Sequence, residues 1–124
     1  MSMKTPLGKV RGLGSAKDGT DHFWKQRVSA VATLILALAF IGIVLNVIGK
    51  PYADVIDTLS SPLAAVFFLL FILSGIVHMR LGIQVIIEDY VTNETAKILA
   101  LMGNTFFALL IGGLCVFSIL KLAL

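Results

Sequence analysis

Apolar residues dominate three stretches of the chain, from about Val28 to Ile48, from about Leu63 to Ile87 and from about Ile98 to Leu120. Each is longer than the ~20 residues that cross a ~30 Å hydrocarbon layer as a helix. None alternates apolar and polar positions with the period of two that a strand requires. Three strands could not close into a barrel, so their backbone groups would stay unpaired in lipid. The pattern therefore predicts an all-α integral membrane protein with three transmembrane helices.

The polar intervals read as the ends of these spans. Gly49-Lys50-Pro51 stops the first, because proline resists continuation of a helix. Ser61 is placed to cap the second, with Pro62 at its first helical position. Glu88-Asp89-Tyr90 marks the far end of that span, and Thr92 or Asn93 is placed to cap the third. Residues 49–62 read as a loop and 88–97 as a short polar turn. Two regions follow: a cytoplasmic arm with an interfacial segment over 1–27, and a transmembrane domain over 28–124. Gly8, Gly12, Gly14 and Ser15 predict a loose first part of the arm, and Phe23 and Trp24 sit where an interfacial aromatic anchor belongs.

Composition agrees with the pattern. Hydrophobic residues make up 58% of the chain and charged ones 14%, against about 25% charged in a soluble domain. So small a domain could not hide that apolar surface from water, and lipid is its natural solvent. The charge is lopsided: Lys4, Lys9, Arg11, Lys17, Lys25 and Arg27 precede the first span, and only Lys50, Arg80, Lys97 and Lys121 follow. The positive-inside rule then places the N-terminus in the cytoplasm, 49–62 outside, 88–97 inside and the C-terminus outside. It also accounts for the basic pI without invoking nucleic acid. The first 27 residues contain no apolar run of the kind a cleavable signal peptide needs. Cys115 is alone, which excludes an intrachain disulfide or a multi-cysteine metal or iron–sulfur site.

The candidate chemistry lies in the second span. His78 falls about 16 Å along the helix from Asp89, well inside the hydrocarbon, where ionisable groups are costly and are functional candidates. Ser74, His78 and Gly82 share one face, with Gly75 beside them. An imidazole bracketed by small side chains has the clearance that a flat macrocycle needs, and neutral imidazole is a common axial ligand of haem iron. A histidine hydrogen-bonded across a helix pair, with small residues that merely let the helices approach, fits the same spacing. If His78 binds haem, the second axial ligand comes from another chain, since His22 precedes the first span; a hetero-oligomeric helix bundle follows. Asp89 returns to within about 20° of the His78 face. With Tyr90 it could serve a bound carbonyl compound, or simply end the span. Arg80 points roughly opposite His78 and either snorkels or meets an anion from another subunit. Arg27, at the start of the first span, suits a haem propionate, an acidic lipid head group or no specific partner.

The run His78-Met79-Arg80-Leu81-Gly82-Ile83-Gln84-Val85-Ile86-Ile87-Glu88-Asp89-Tyr90-Val91 resembles the second-helix signature of the hydrophobic membrane anchor of succinate dehydrogenase, respiratory complex II. That signature is a histidine, a glycine four residues on, and an Asp-Tyr pair two further turns along. The segment Asp21-His22-Phe23-Trp24-Lys25-Gln26-Arg27-Val28-Ser29-Ala30 resembles the family's entry into its first helix, and the long Ile87-Glu88-Asp89-Tyr90-Val91 form is most like alphaproteobacterial members. The resemblance implies that His78 is an axial ligand of haem b iron, that Arg27 approaches a haem propionate, that Tyr90 hydrogen-bonds ubiquinone and that Asp89 supports it or relays protons. His22 is a further propionate or quinone-side candidate, and Arg80 receives no role. It implies a bacterial inner-membrane subunit of respiratory electron transport and the tricarboxylic acid cycle, with three partners: a cytochrome b556-type anchor, an iron–sulfur subunit and a flavoprotein. No complete active site is expected in this chain, and no residue of it is expected to be catalytic. A fumarate reductase anchor shares the architecture, and a non-redox three-span accessory subunit is the reading from another class.

Overall fold

A computed structural model describes residues 5–12 and 18–124. They form five helices: α1 (Pro6–Val10), α2 (Asp18–Val47), α3 (Tyr52–Ser60), α4 (Pro62–Tyr90) and α5 (Glu94–Ala123). Helices α2, α4 and α5 are each long and apolar enough to cross a membrane. At 29 residues, α4 is about 43 Å long, more than the hydrocarbon thickness. The apolar residues surround these helices rather than forming one stripe, as expected where the outer surface also meets an apolar medium. Their backbone groups are satisfied within each helix, which lipid demands.

The helix ends follow local chemistry. Gly49 adopts φ 77°, the left-handed conformation that closes many helices, and Lys50 N–H donates to the Val47 carbonyl at 3.2 Å. The Ser61 hydroxyl accepts from the Ala64 amide and Pro62 follows at the first helical position. Asn93, rather than Thr92, caps α5, its side chain accepting from the Ala96 amide at 2.9 Å.

Three differences from the sequence reading have physical causes. Residues 49–62 are not simply a loop, because Tyr52–Ser60 folds as α3. Tyr52, Val55, Ile56 and Leu59 recur at helical spacing, and Val55, Ile56 and Leu59 are half-buried while Asp54 and Asp57 face out. The helix containing the first span begins at Asp18, well before Val28, since the polar segment ahead of the apolar run is itself helical and carries an Asp21–Lys25 ion pair one turn apart. In the arm, Pro6–Val10 forms a short helix where a loose chain was expected. Lys4, Gly14, Ser15 and Lys17 lie outside the described residues.

Helix α4 is central: it packs along α2 on one side and α5 on the other, while no described Cα atoms of α2 and α5 come within 8 Å of each other. Helix α3 lies against all three. The buried positions are mostly small, namely Ser29, Ala64, Ala65 and Ala108, with Leu81, Ile87 and Asn104. Small residues let helix backbones approach closely, which is how helices associate without a water-driven hydrophobic effect. At Gly112, for example, an added Cβ would already meet Ile76 at 3.6 Å. Large side chains such as Leu34, Leu38, Leu70, Phe106 and Leu110 point outward. Of the aromatic pairs, Phe68 packs edge-on against Phe40, with ring centres 5.9 Å apart, whereas Phe67, Phe106 and Phe107 are exposed.

Candidate functional site

The two faces of α4 carry different polar chemistry. One face turns Ser74, His78 and Gly82 toward α2, as the helical spacing predicts. The Ser74 hydroxyl donates to the backbone carbonyl of Ser29 at 3.1 Å and lies 2.8 Å from the Thr33 hydroxyl. One turn along, His78 Nδ1 lies 3.3 Å from the Ser29 hydroxyl. Gly82 faces Gln26, whose Nε2 stands 3.6 Å from where a Cβ would be. The small side chains therefore do two things: Ser74 ties α4 to α2, and Gly82 makes room for a polar side chain of α2.

Beyond this seam α2 and α4 part to leave a cavity of about 510 Å³, lined by His22, Phe23, Gln26, Arg27, Ala30, His78 and Val85 with Gly19. Ligand sites commonly fall in the range of ~300–1,000 Å³. All the lining residues belong to α2 and α4. His22 Nε2 and Gln26 Oε1 are buried without a hydrogen-bond partner. Orphaned buried polar atoms are costly, and a polar group bound in the cavity is one partner that would satisfy these two. The Arg27 guanidinium lies 5.1 Å from the centre of the Phe23 ring, on the same cavity.

The His78 Nε2 atom makes no hydrogen bond among the described residues, whereas Nδ1 is engaged by Ser29. That division is typical of a metal-ligating imidazole, with one nitrogen held by an outer partner and the other available. Among the described residues no three His, Cys, Asp or Glu side chains gather around a point. A metal at His78 would take its other donors from outside the described residues, from another chain or from a group such as a porphyrin. The residues present fit such a group: one imidazole nitrogen for iron, an Arg for an anionic substituent, and orphaned polar atoms at the rim.

Asp89 and Tyr90 are elsewhere. They end α4, about 18 Å along the axis from His78 to Tyr90, and neither lines the cavity. Both are exposed, Tyr90 by 80%. Nearby, Gln84 donates to the Glu88 carboxylate at 2.8 Å and Lys97 to the Glu88 backbone carbonyl at 3.2 Å, so the α4–α5 turn is held in place while Asp89 and Tyr90 face out. Thus the structure brings His78, Arg27 and His22 to one cavity and leaves Asp89 and Tyr90 at a separate, outward end.

The opposite face of α4 serves α5. Arg80 donates to the Thr105 hydroxyl at 3.3 and 3.4 Å, and its backbone carbonyl accepts from the buried Asn104 side chain at 2.9 Å. Its intrachain partner is therefore a hydroxyl on α5. The sequence reading gave no role to Ser29, Thr33 or Gln26. Their signal was available: three polar side chains at i, i+3 and i+7 in the first two turns around an apolar boundary, on a face that must meet α4.

Comparison with known proteins gives a consistent set of relatives. The family model described as succinate dehydrogenase/fumarate reductase transmembrane subunit matches residues 1–112. The succinate dehydrogenase hydrophobic membrane anchor subunit of Paracoccus denitrificans is 32% identical over 120 residues, covering 97% of this chain and 92% of the relative. The proteins of the same name from Rickettsia bellii (strain RML369-C) and Rickettsia conorii (strain ATCC VR-613 / Malish 7) are 26% and 30% identical, covering 86% and 72% of this chain and 86% and 71% of the relatives. No solved structure gives a significant match.

Proposed function

The chain belongs to the succinate dehydrogenase/fumarate reductase transmembrane subunit family, and from that premise we propose that it helps hold a b-type haem and ubiquinone in a bacterial inner-membrane succinate dehydrogenase. The observation that carries this reading is the cavity between α2 and α4, with His78 Nδ1 occupied, His78 Nε2 without a partner among the described residues, and Arg27, His22 and Gln26 on the same walls. Family membership weighs against the non-redox accessory subunit. The relatives are succinate dehydrogenase subunits, which favours succinate oxidation over fumarate reduction.

In this proposal His78 Nε2 would hold the haem iron, together with a histidine of a second, cytochrome b556-type anchor. Arg27 neutralises a propionate in a medium where an unpaired carboxylate would be costly. His22, whose Nε2 has no partner among the described residues, would join it. Bound there, haem would supply a one-electron redox centre; its organic and metal chemistry is its own, and the protein contributes position and charge. Tyr90 and Asp89 have a different task at the cytoplasmic end of α4. Reducing a quinone to a quinol takes two electrons and two protons. An exposed phenol can donate a hydrogen bond to a quinone carbonyl, and an exposed carboxylate can order water that brings protons. The iron–sulfur and flavoprotein subunits dock on that side, with the N-terminus also cytoplasmic, so the succinate site lies outside this chain.

The test is purification of the assembled complex through a tag on this chain. Co-purifying flavin-bearing and iron–sulfur chains, with a b-type band in the reduced-minus-oxidised spectrum, are the expected result. An assembly with neither flavin nor haem overturns the proposal.

A further inference from the structure

The geometry points to Ser29 as a positioning residue that decides which nitrogen of the His78 ring is left bare for iron. This rests on the haem reading above and deepens it. Ser29 is only 7% exposed on α2, and its hydroxyl oxygen lies 3.1 Å from the carbonyl oxygen of Gln26 and 3.3 Å from His78 Nδ1. A hydroxyl has one proton to give. The Gln26 carbonyl can only accept, so that proton is committed to it. The serine oxygen then turns a lone pair toward the imidazole, and Nδ1 must carry the hydrogen of this contact. Neutral imidazole has a single N–H, so Nε2 holds the lone pair that a metal needs.

The rest of the seam closes in the same sense. Ser74 lies 3.1 Å from the Ser29 carbonyl, an acceptor only, so the Ser74 proton goes there. Thr33 must then donate to Ser74 across their 2.8 Å contact. Ser29 is thereby held through its backbone by one residue of α4 while its side chain holds another. The opposite tautomer would require Ser29 to withdraw its proton from Gln26 and leave Nε2 protonated, a form that cannot ligate. An N–H hydrogen bond from a metal-bound imidazole also raises the basicity of the ligand, and outer partners of this kind typically matter about 10–100-fold in affinity.

The prediction is specific to the hydroxyl. In the intact, purified complex, Ser29→Ala lowers the donor strength of His78, so the haem midpoint potential rises, the low-spin electron paramagnetic resonance signal moves, and haem is lost about tenfold or more faster to an excess of a haem-scavenging protein. Ser29→Thr keeps the hydroxyl and restores all three readouts. Ser74→Ala removes the bond to the Ser29 carbonyl and the contact with Thr33 without touching Nδ1, and leaves the potential at the wild-type value. A Ser29→Ala complex with unchanged potential and resonance signal overturns the inference while the haem reading stands. An equal shift in Ser74→Ala also overturns it, because the effect would then be helix packing. Failure of Ser29→Thr to restore the signals of Ser29→Ala has the same consequence. Absence of haem from the wild-type complex overturns the reading beneath it, and the two failures are thus distinguishable.

Discussion

Replacing Tyr90 with Phe removes one hydroxyl and leaves the ring, and the structure sets the scale of the consequence. Tyr90 is the last residue of α4, its ring is 80% exposed and its hydroxyl has no partner among the described residues. The folded chain therefore gains nothing from that oxygen, and an exposed substitution of this kind changes stability by about 0.5 kcal/mol or less. If the phenol donates a hydrogen bond to a quinone carbonyl, its loss costs about 0.5–1.5 kcal/mol, or roughly 2- to 13-fold in kcat/KM for quinone. If it also delivered a proton in the transition state, the loss would be on the order of 10²-fold or more. A hydrogen-bonding Tyr90 predicts the smaller range. The assay compares succinate-to-quinone electron transfer with succinate oxidation by an artificial acceptor that takes electrons upstream of the membrane. The quinone rate should fall about 2- to 13-fold while the artificial-acceptor rate is unchanged. An unchanged quinone rate refutes the contact, and equal loss of both activities places the damage in assembly instead.

Other substitutions report on the scaffold. Ser74→Ala removes the tie between α4 and the Ser29 and Thr33 positions of α2 and should destabilise the detergent-solubilised complex by about 0.6–1.7 kcal/mol, as hydrogen bonds between membrane helices do; a denaturation midpoint equal to wild type would show that the seam is not a stabilising one. At Gly112 an added Cβ sits at ordinary contact distance from Ile76, so Gly112→Ala should assemble normally, whereas Gly112→Leu should cost about 1–3 kcal/mol by overpacking; similar yields and melting points for both would contradict the close α4–α5 approach. Asn93→Ala deletes the cap of α5 and should cost about 1 kcal/mol, with Asn93→Asp near wild type; identical losses in the two would argue against capping.

Much of this architecture was legible because lipid imposes a blunt rule. Three apolar runs of sufficient length can only be helices, and a stop at Gly49 and starts at Ser61-Pro62 and Asn93 are written in residues whose backbone and side-chain chemistry suits those ends. What escaped was structure that lies outside the hydrocarbon or depends on two helices at once. Helix α3 is short, bounded by two prolines and carries two aspartates, so hydropathy alone passes over it, although its apolar residues repeat at helical spacing. The first span's helix runs back to Asp18 because helical hydrogen bonding does not stop where apolar character does. Of the candidate residues, His78, Gly82, Asp89 and Tyr90 were visible as one string on one helix, although the last two lie apart from the cavity. Ser29 and Gln26 belong to another helix, and only the packing of α2 on α4 shows that they meet His78 and Gly82. Arg80 likewise was ambiguous until α5 supplied Thr105 and Asn104.

The most direct measurement is the ratio of b-type haem to covalently or tightly bound flavin in complexes purified with wild-type chain and with His78→Ala. The account predicts equimolar haem and flavin in the wild type, and an assembled, flavin-containing variant whose low-spin haem band is lost or displaced. A variant complex that keeps the wild-type haem content and spectrum would contradict it.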